Sequence, residues 1–364
     1  MLNNFRFLTS GESHGKCLNA IIDGIPAGFA IDLNLINDEL KRRQGGLGRG
    51  GRMKIETDTV EIKSGIRFGK TTGAPICLEI KNKDFENWQE VMSIEKINAD
   101  DKNIEKAFTK PRPGHADFAG AIKYDLKDLR DVLERSSARK TAIDVAIGAI
   151  AKQILKEFEI NFSSAIIHIG NEPELDKIKE KIEFAKAQGD TLGGKFEIVF
   201  ENLPIGLGSH VQWDRKLDGV IAQAVMSIPA VKSVEIGLGI GAGEVFGSQM
   251  QDAIYVENEK YFRKTNNAGG IEGGMTNGEN LVVKATMKPI PTMKTPLATI
   301  DFEDNSQTEA HFERSDVCAV HACAVVAEAM VACVLLDVFL DKFGKDNLSE
   351  IRANYSSRKA DRIK

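Results

Sequence analysis

Residues 317–336 read Val-Cys-Ala-Val-His-Ala-Cys-Ala-Val-Val-Ala-Glu-Ala-Met-Val-Ala-Cys-Val-Leu-Leu. As a helix this run would cover ~30 Å, enough to cross a bilayer. His321 and Glu328 interrupt it, however, and its alanines and cysteines suit close packing inside a water-soluble core. The stretch 138–158 is likewise apolar nearly all round. A helix with no polar face is covered on every side, so helices over 138–158 and 316–343 are predicted to form the interior.

Outside these helices, strand-like runs recur at 5–9, 17–22, 60–68, 76–80, 165–169, 196–200, 233–236 and 281–287. Most alternate or are β-branched, with glycine at their ends, as half-buried strands require. Further helices are predicted over 33–43, 175–187 and 215–226. The runs 60–68 and 76–80 are joined by Gly69-Lys70-Thr71-Thr72-Gly73-Ala74-Pro75, too short for a crossover helix, so they should pair antiparallel. The expected class is α+β, a sandwich of central helices between antiparallel β-sheets. No Pro/Ser-rich linker or fixed-period repeat divides the chain, which reads as a single domain over 1–364. The charged stretch 83–110 reads as a solvent-exposed excursion with room for a short helix.

A net charge of −5 argues against a protein that coats nucleic acid, so any basic site must be local. Five cysteines without a Cys-x-x-Cys pair suit buried free thiols in a reducing compartment. The N-terminal residues carry no apolar core of signal-peptide length. A cytoplasmic protein with no membrane partner is expected.

Two of only six histidines sit in turns rich in Gly or Pro: His14 in Gly11-Glu12-Ser13-His14-Gly15, and His115 in Arg112-Pro113-Gly114-His115-Ala116-Asp117. Imidazole presented on such a loop points to chemistry on a bound ligand. Residues 41–54 carry six basic side chains and no acid, with glycines that let backbone N–H groups approach an anion; a solvated mobile loop is the plainer reading. Arg135-Ser136-Ser137-Ala138-Arg139 leads into the first apolar helix, where a serine would serve as N-cap and the arginines add an anion site. Arg314-Ser315-Asp316 stands in the same relation to the second, and Asp316 there reads as a cap or as a functional carboxylate. The glycine-dense segment 267–278 could admit a planar or phosphorylated ligand against backbone, or be a long turn.

Three motifs mislead. Gly11–Gly15 matches the serine-hydrolase elbow Gly-x-Ser-x-Gly, but it follows the first strand and runs on into another strand rather than a helix. Gly237-Leu238-Gly239-Ile240-Gly241-Ala242 matches a dinucleotide pattern, but its glycine-rich sequel cannot open a packed helix. Cys318 and His321 at helical spacing offer a metal only two ligands, so no metal is predicted.

Taken together, the motifs around His14, Asp23-Gly24-Ile25-Pro26, Arg49-Gly50-Gly51-Arg52-Met53, the motif around His115, Arg135–Arg139, and Arg314-Ser315-Asp316 ahead of Glu328-Ala329-Met330 closely resemble the chorismate synthase family, in family order and over nearly the whole chain. The resemblance implies a trans-1,4 elimination of phosphate from 5-enolpyruvylshikimate 3-phosphate, a requirement for reduced FMN, NADPH as a reductant in some members, and a homotetramer. It implies catalytic roles for His14 at the flavin, His115 as proton donor to the departing phosphate, and Asp316 in governing flavin protonation. Ser13, with Ser136 or Ser137, would orient these groups. Flavin contacts would come from Arg135, Ser136, Ser137, Pro229, Ala230, Gly273, Lys288, Pro289, Ile290, Pro291, Thr292 and Arg314. NADP contacts would come from Arg43 and Arg49, and substrate contacts from Arg49, Arg52 and Arg139. Leu47, Pro229 and Asn267 depart from residues common in the family. The alternatives from other classes are a non-catalytic flavin- or anion-binding module and a hydrolase built on Ser13.

Overall fold

The computed structural model describes residues 2–50, 57–95, 108–258, 260–313 and 315–360. Two antiparallel four-stranded sheets enclose three helices. The first sheet is ordered β1 (Arg6–Ser10), β2 (Cys17–Asp23), β4 (Ile76–Lys81) and β3 (Val60–Ile62). The second is ordered β5 (Asn161–Ile169), β6 (Gly194–Glu201), β8 (Leu281–Met287) and β7 (Val231–Ile236). Alternate residues face inward: Leu18, Ala20 and Ile22 with Ile76, Leu78 and Ile80 in one sheet, Phe196, Ile198 and Phe200 with Leu281, Val283 and Ala285 in the other. The register pairs Ala20 with Leu78 and Ile198 with Val283, so the apolar residues of neighbouring strands share a face.

Between the sheets run α1 (Leu33–Gln44), α4 (Thr141–Lys156) and α7 (Val320–Phe343). Helix α4 packs on β2 and β4, α7 packs on β5 and β6, and the two helices pack on each other. A Cβ at Gly148 of α4 would lie 2.3 Å from the Ala329 Cβ of α7, so glycine there permits the close crossing. The most apolar window of α7 is 89% buried within the fold, as a core helix requires. Among its carboxylates, Glu328 is fully buried and bonded to Arg42 of α1 (2.8 Å) and Lys152 of α4 (2.7 Å). Burial opposes ionisation of Glu328, but these two cations prevail and hold it at about 2.

The sandwich and its central helices match the sequence expectation, while several boundaries move. Helix α7 begins at Val320 rather than 316, because the backbone ahead of it is claimed elsewhere. The N–H groups of Val317 and Cys318 donate to Gly48 O, and Leu192 N–H donates to Val317 O. Asp316 is therefore not the cap of α7. Helix α4 begins at Thr141, after a 3-10 turn over Ala138–Lys140 that Ser137 caps by accepting from Arg139 N–H. Ser136 ends the preceding helix and caps nothing. The run 60–68 breaks after Ile62 into a separate small hairpin, Ile66–Arg67 with Lys70–Thr71.

Helices α2 (Asp117–Tyr124), α3 (Arg130–Ser136) and α8 (Leu348–Ala360) were not expected. The first two are short and bury Ala121, Leu129 and Leu133 against Phe108 in a small satellite cluster, too few apolar positions to show a period. Two further helices are α5 (Leu175–Gln188) and α6 (Leu217–Met226).

Candidate active site

A cavity of about 670 Å³ opens at one end of the helix layer, within the range of small-molecule sites. Its wall is assembled from the β1–β2 turn, the end of α1 and the loop after it, the Arg112–Ala116 turn, the α3–α4 junction, the α6–β7 corner, the strap 287–292, Glu313, and 315–326. Among the described residues, seven basic side chains line it (Arg43, Arg49, Arg112, Arg139, Lys140, Lys232 and Lys288) against two acids, Glu313 and Asp316. In a chain of net charge −5 this is a local positive site. Met226, Ile228, Ile290 and Val326 add an apolar surface.

His14 is carried by the β1–β2 turn and is 8% exposed. Its ring Nδ1 lies 2.9 Å from Glu134 Oε1, and its backbone N–H donates to Oε2 of the same carboxylate at 2.7 Å. Trp88 stacks on the imidazole with ring centroids 4.0 Å apart. Ser13 N–H donates to Glu134 O, and Ser137 Oγ donates to Ser13 Oγ at 3.2 Å. Arg135 holds the base of the turn, donating to Thr9 O, Thr9 Oγ1 and Gly11 O.

His115 lies on the Pro113-Gly114 turn that enters α2, and Gly114 takes the left-handed φ of +80° that this turn requires. Its Nδ1 sits 2.6 Å from Asp117 Oδ1. Asp117 is fully buried and grips Arg112 through Nε (2.8 Å) and Nη2 (3.0 Å). Burial raises the Asp117 carboxyl, but His115 and Arg112 outweigh it and hold the group well below the usual carboxylate range. Lys288 Nζ donates to Gly114 O and Arg112 Nη1 to Thr292 Oγ1, which ties the strap 287–292 to this turn.

Asp58 serves two buried guanidinium groups, Arg139 at 2.7 Å and Arg43 at 3.7 Å, so this wall stays cationic overall. Asp316 accepts from Gly50 N–H (2.5 Å) and pairs with Arg49 (2.6 Å), a tether for the glycine loop rather than a helix cap. That loop also lies against the start of α7: a Cβ at Gly46 would meet the His321 side chain at 2.6 Å, and one at Gly48 would meet Cys318 at 2.8 Å. Packing therefore accounts for the Cys318/His321 pair. Cys323 lines the cavity, but burial pushes its thiol up to about 12, which makes it a poor nucleophile. Ala230, in the wall, takes a left-handed φ of +70°, which an L-residue holds only where its surroundings fix it.

A family model described as chorismate synthase matches residues 5–340. The chain belongs to the chorismate synthase family. It is 54% identical over 353 residues to the chorismate synthase of Thermoanaerobacter pseudethanolicus, covering 97% of each chain. It is 49% identical to that of Aquifex aeolicus, again with 97% of each covered. A crystal structure of chorismate synthase aligns with a TM-score of 0.79 and 39% identity, over 100% of this chain and 99% of that one.

Membership in this family implies dependence on FMN and a small phosphorylated substrate. The residues present fit such ligands: guanidinium and ammonium groups suit phosphate and carboxylate, and the apolar strip suits a planar ring. The structure brings Ser13, His14, Arg43, Arg49, His115, Ser136, Ser137, Arg139, Pro229, Ala230, Lys288, Ile290, Pro291, Thr292 and Asp316 to this one cavity. Arg135, Pro289 and Gly273 are not among its lining residues. Arg135 is committed to the β1–β2 turn, and Gly273 sits in the tight turn between the strands Ile271–Glu272 and Met275–Thr276. Arg52 and Arg314 lie outside the described residues.

Sequence reasoning assigned no role to Arg112 or Asp117, although both stood in the motif around His115, or to Glu134, which immediately precedes Arg135. It missed Asp58, Asn82 and Trp88 altogether. Asn82 Oδ1 accepts from Arg139 Nε, and its amide donates to Gly15 O. None of these three carries a local signal. The hydrolase reading fails on geometry, because Ser13 lies in a strand–turn–strand hairpin, not on a strand-to-helix elbow.

Proposed function

We propose that this cavity carries out the trans-1,4 elimination of phosphate from 5-enolpyruvylshikimate 3-phosphate, giving chorismate, the last step of the shikimate pathway. The observation that carries the reading is the pair of imidazoles, each with a buried carboxylate at Nδ1, in one arginine-lined cavity. When bound, reduced FMN supplies electron density transiently to the substrate, with no net redox change.

The chain's own groups bind, orient and move protons. Arg49 and Arg139 pair with substrate phosphate and carboxylates, in a wall where guanidinium charge exceeds carboxylate charge. His115 donates a proton to the departing phosphate, which leaves more readily when protonated or cation-paired. The neighbouring Arg112 and Lys288 hold negative charge at that position. His14 holds a proton at the flavin side, and Asp316 controls the proton that leaves the substrate. Ser13 and Ser137, bonded to each other, orient these groups. Ser136, Pro229, Ala230 and the strap 288–292 form the wall for the planar ring.

Anaerobically reduced FMN supplied with 5-enolpyruvylshikimate 3-phosphate should yield chorismate. A folded protein that binds both ligands and releases no phosphate would overturn the assignment. NADPH is proposed as the reductant, with Arg43 and Arg49 as its contacts. Turnover in air with NADPH and FMN and no other protein supports this, and turnover only with pre-reduced flavin refutes it. The proposed assembly is a homotetramer, which light scattering at assay concentration tests directly.

A further inference from the structure

The structure assigns Glu134 a role that goes beyond holding α3 in place. We propose that it is a positioning residue that pins a proton on His14 Nδ1, so that His14 gains and loses protons only at Nε2. This deepens the functional reading above and rests on it for the role of His14.

Two donors and one imidazole nitrogen converge on the two oxygens of Glu134. His14 N–H donates to Oε2 at 2.7 Å, Arg130 Nη1 donates to Oε1 at 3.2 Å, and His14 Nδ1 lies 2.9 Å from Oε1. Glu134 is 3% exposed, so water does not compete for these positions. A neutral carboxylic acid facing Nδ1 would have to turn its own O–H there, leaving one acceptor fewer for the backbone and Arg130. The ionised carboxylate satisfies all three, and it requires a proton on Nδ1 in both charge states of the ring. Trp88, stacked at 4.0 Å and 24°, fixes the ring plane, with Arg130 5.0 Å from the Trp88 ring centre. His14 lines the cavity, which leaves Nε2 as the nitrogen for a ligand there. The arrangement follows the general rule that a carboxylate at one imidazole nitrogen selects the tautomer presented at the other.

Glu134→Gln keeps the shape and removes the logic. A carboxamide has one acceptor end, so an NH2 group must face either the His14 backbone N–H or Nδ1. The direct measurement is the ¹⁵N chemical shift of both His14 nitrogens in histidine-labelled, ligand-free protein, assigned by the signals lost in His14→Ala. The wild-type protein should show Nδ1 protonated across the whole titration and only Nε2 titrating. Nδ1 found unprotonated in the neutral ring would overturn the proposal, whatever the activity. In Glu134→Gln the pinned Nδ1 proton should be lost, kcat should fall by about 10²–10⁴ and KM should stay within about threefold, the range for a misplaced general acid–base group. Adding Glu134→Gln to His14→Ala should lower kcat no further, because Glu134 acts through His14. A further loss in that background would show a merely structural role. The nitrogen shifts need no cofactor or substrate, so a failed elimination assay and a failed tautomer assignment are separate results. If Glu134→Gln does not fold, the wild-type shifts decide alone.

Discussion

His14 and His115 reach one cavity by opposite constructions. The His115 station is local: Arg112, His115 and Asp117 lie within six residues and bond to one another on a single turn. The His14 station is assembled from afar, its carboxylate 120 residues away on α3 and its stacking ring on the segment after β4. The local station is also the more open, with 17% of the His115 side chain exposed against 10% for His14. A proton donor to a leaving phosphate must meet a departing anion, whereas a group that holds one proton beside a ring gains from being enclosed. The same imidazole–carboxylate unit is thus tuned by what surrounds it.

The sharpest way to break this comparison is His115→Ala. Loss of the proton donor should lower kcat by about 10²–10⁴ while circular dichroism and FMN binding persist. Near-full activity would remove His115 from the chemistry and leave His14 as the only working station.

Asp117→Asn tests whether the local station is also a structural knot. It leaves the buried Arg112 guanidinium without its carboxylate, so a destabilisation of about 3–5 kcal/mol is expected from urea unfolding at neutral pH. The sign with pH follows from the depressed Asp117 carboxyl. Its contribution is complete above the unfolded-state value of about 4 and is lost as pH falls toward the folded-state value. The gap between wild type and Asp117→Asn should therefore narrow below about pH 4. A gap independent of pH would place the stabilisation elsewhere.

Glu328→Gln supplies the contrast to both stations, since Glu328 is a buried, cation-paired carboxylate that does not line the cavity. Its loss should cost stability, again about 3–5 kcal/mol by urea titration, with kcat near wild type at a temperature where the protein stays folded. A selective fall in kcat would mean that the helix layer and the cavity are coupled more tightly than their contacts indicate.

The smallest effect is expected from Ser137→Ala, which removes the cap on Arg139 N–H and, toward the cavity, one neutral hydrogen bond to Ser13. A bond of this kind contributes about 0.5–1.5 kcal/mol, so kcat should fall no more than about tenfold. A much larger loss would raise the serine pair to the rank of the imidazoles.

Much of the fold was legible because burial leaves a local trace. The alternation in 76–81 and 281–287 appears unchanged in the strands, and the two helices with no polar face lie at the centre. The candidate site was legible as a set of motifs, and those motifs do converge on one cavity. What could not be read were partners distant in sequence. Nothing near Asp58 announces that it will lie between Arg43 and Arg139, and nothing near Trp88 announces the stack on His14. The exposed character expected for 83–110 even pointed away from Trp88, which is half-buried.

The sequence by itself determined the layers and the His115 station, because hydrophobic period and short-range hydrogen bonding act over a few residues. Tertiary structure alone decided where α7 begins, since the backbone at 317–318 bonds to Gly48 and Leu192 before a helix can claim it. It also decided that Asp316 tethers Arg49 and Gly50, and that Glu134 rather than a neighbour in sequence faces His14. The physical reason is the same in each case. A buried donor or acceptor must be satisfied, and the folded chain, not the local sequence, determines which partner is within reach.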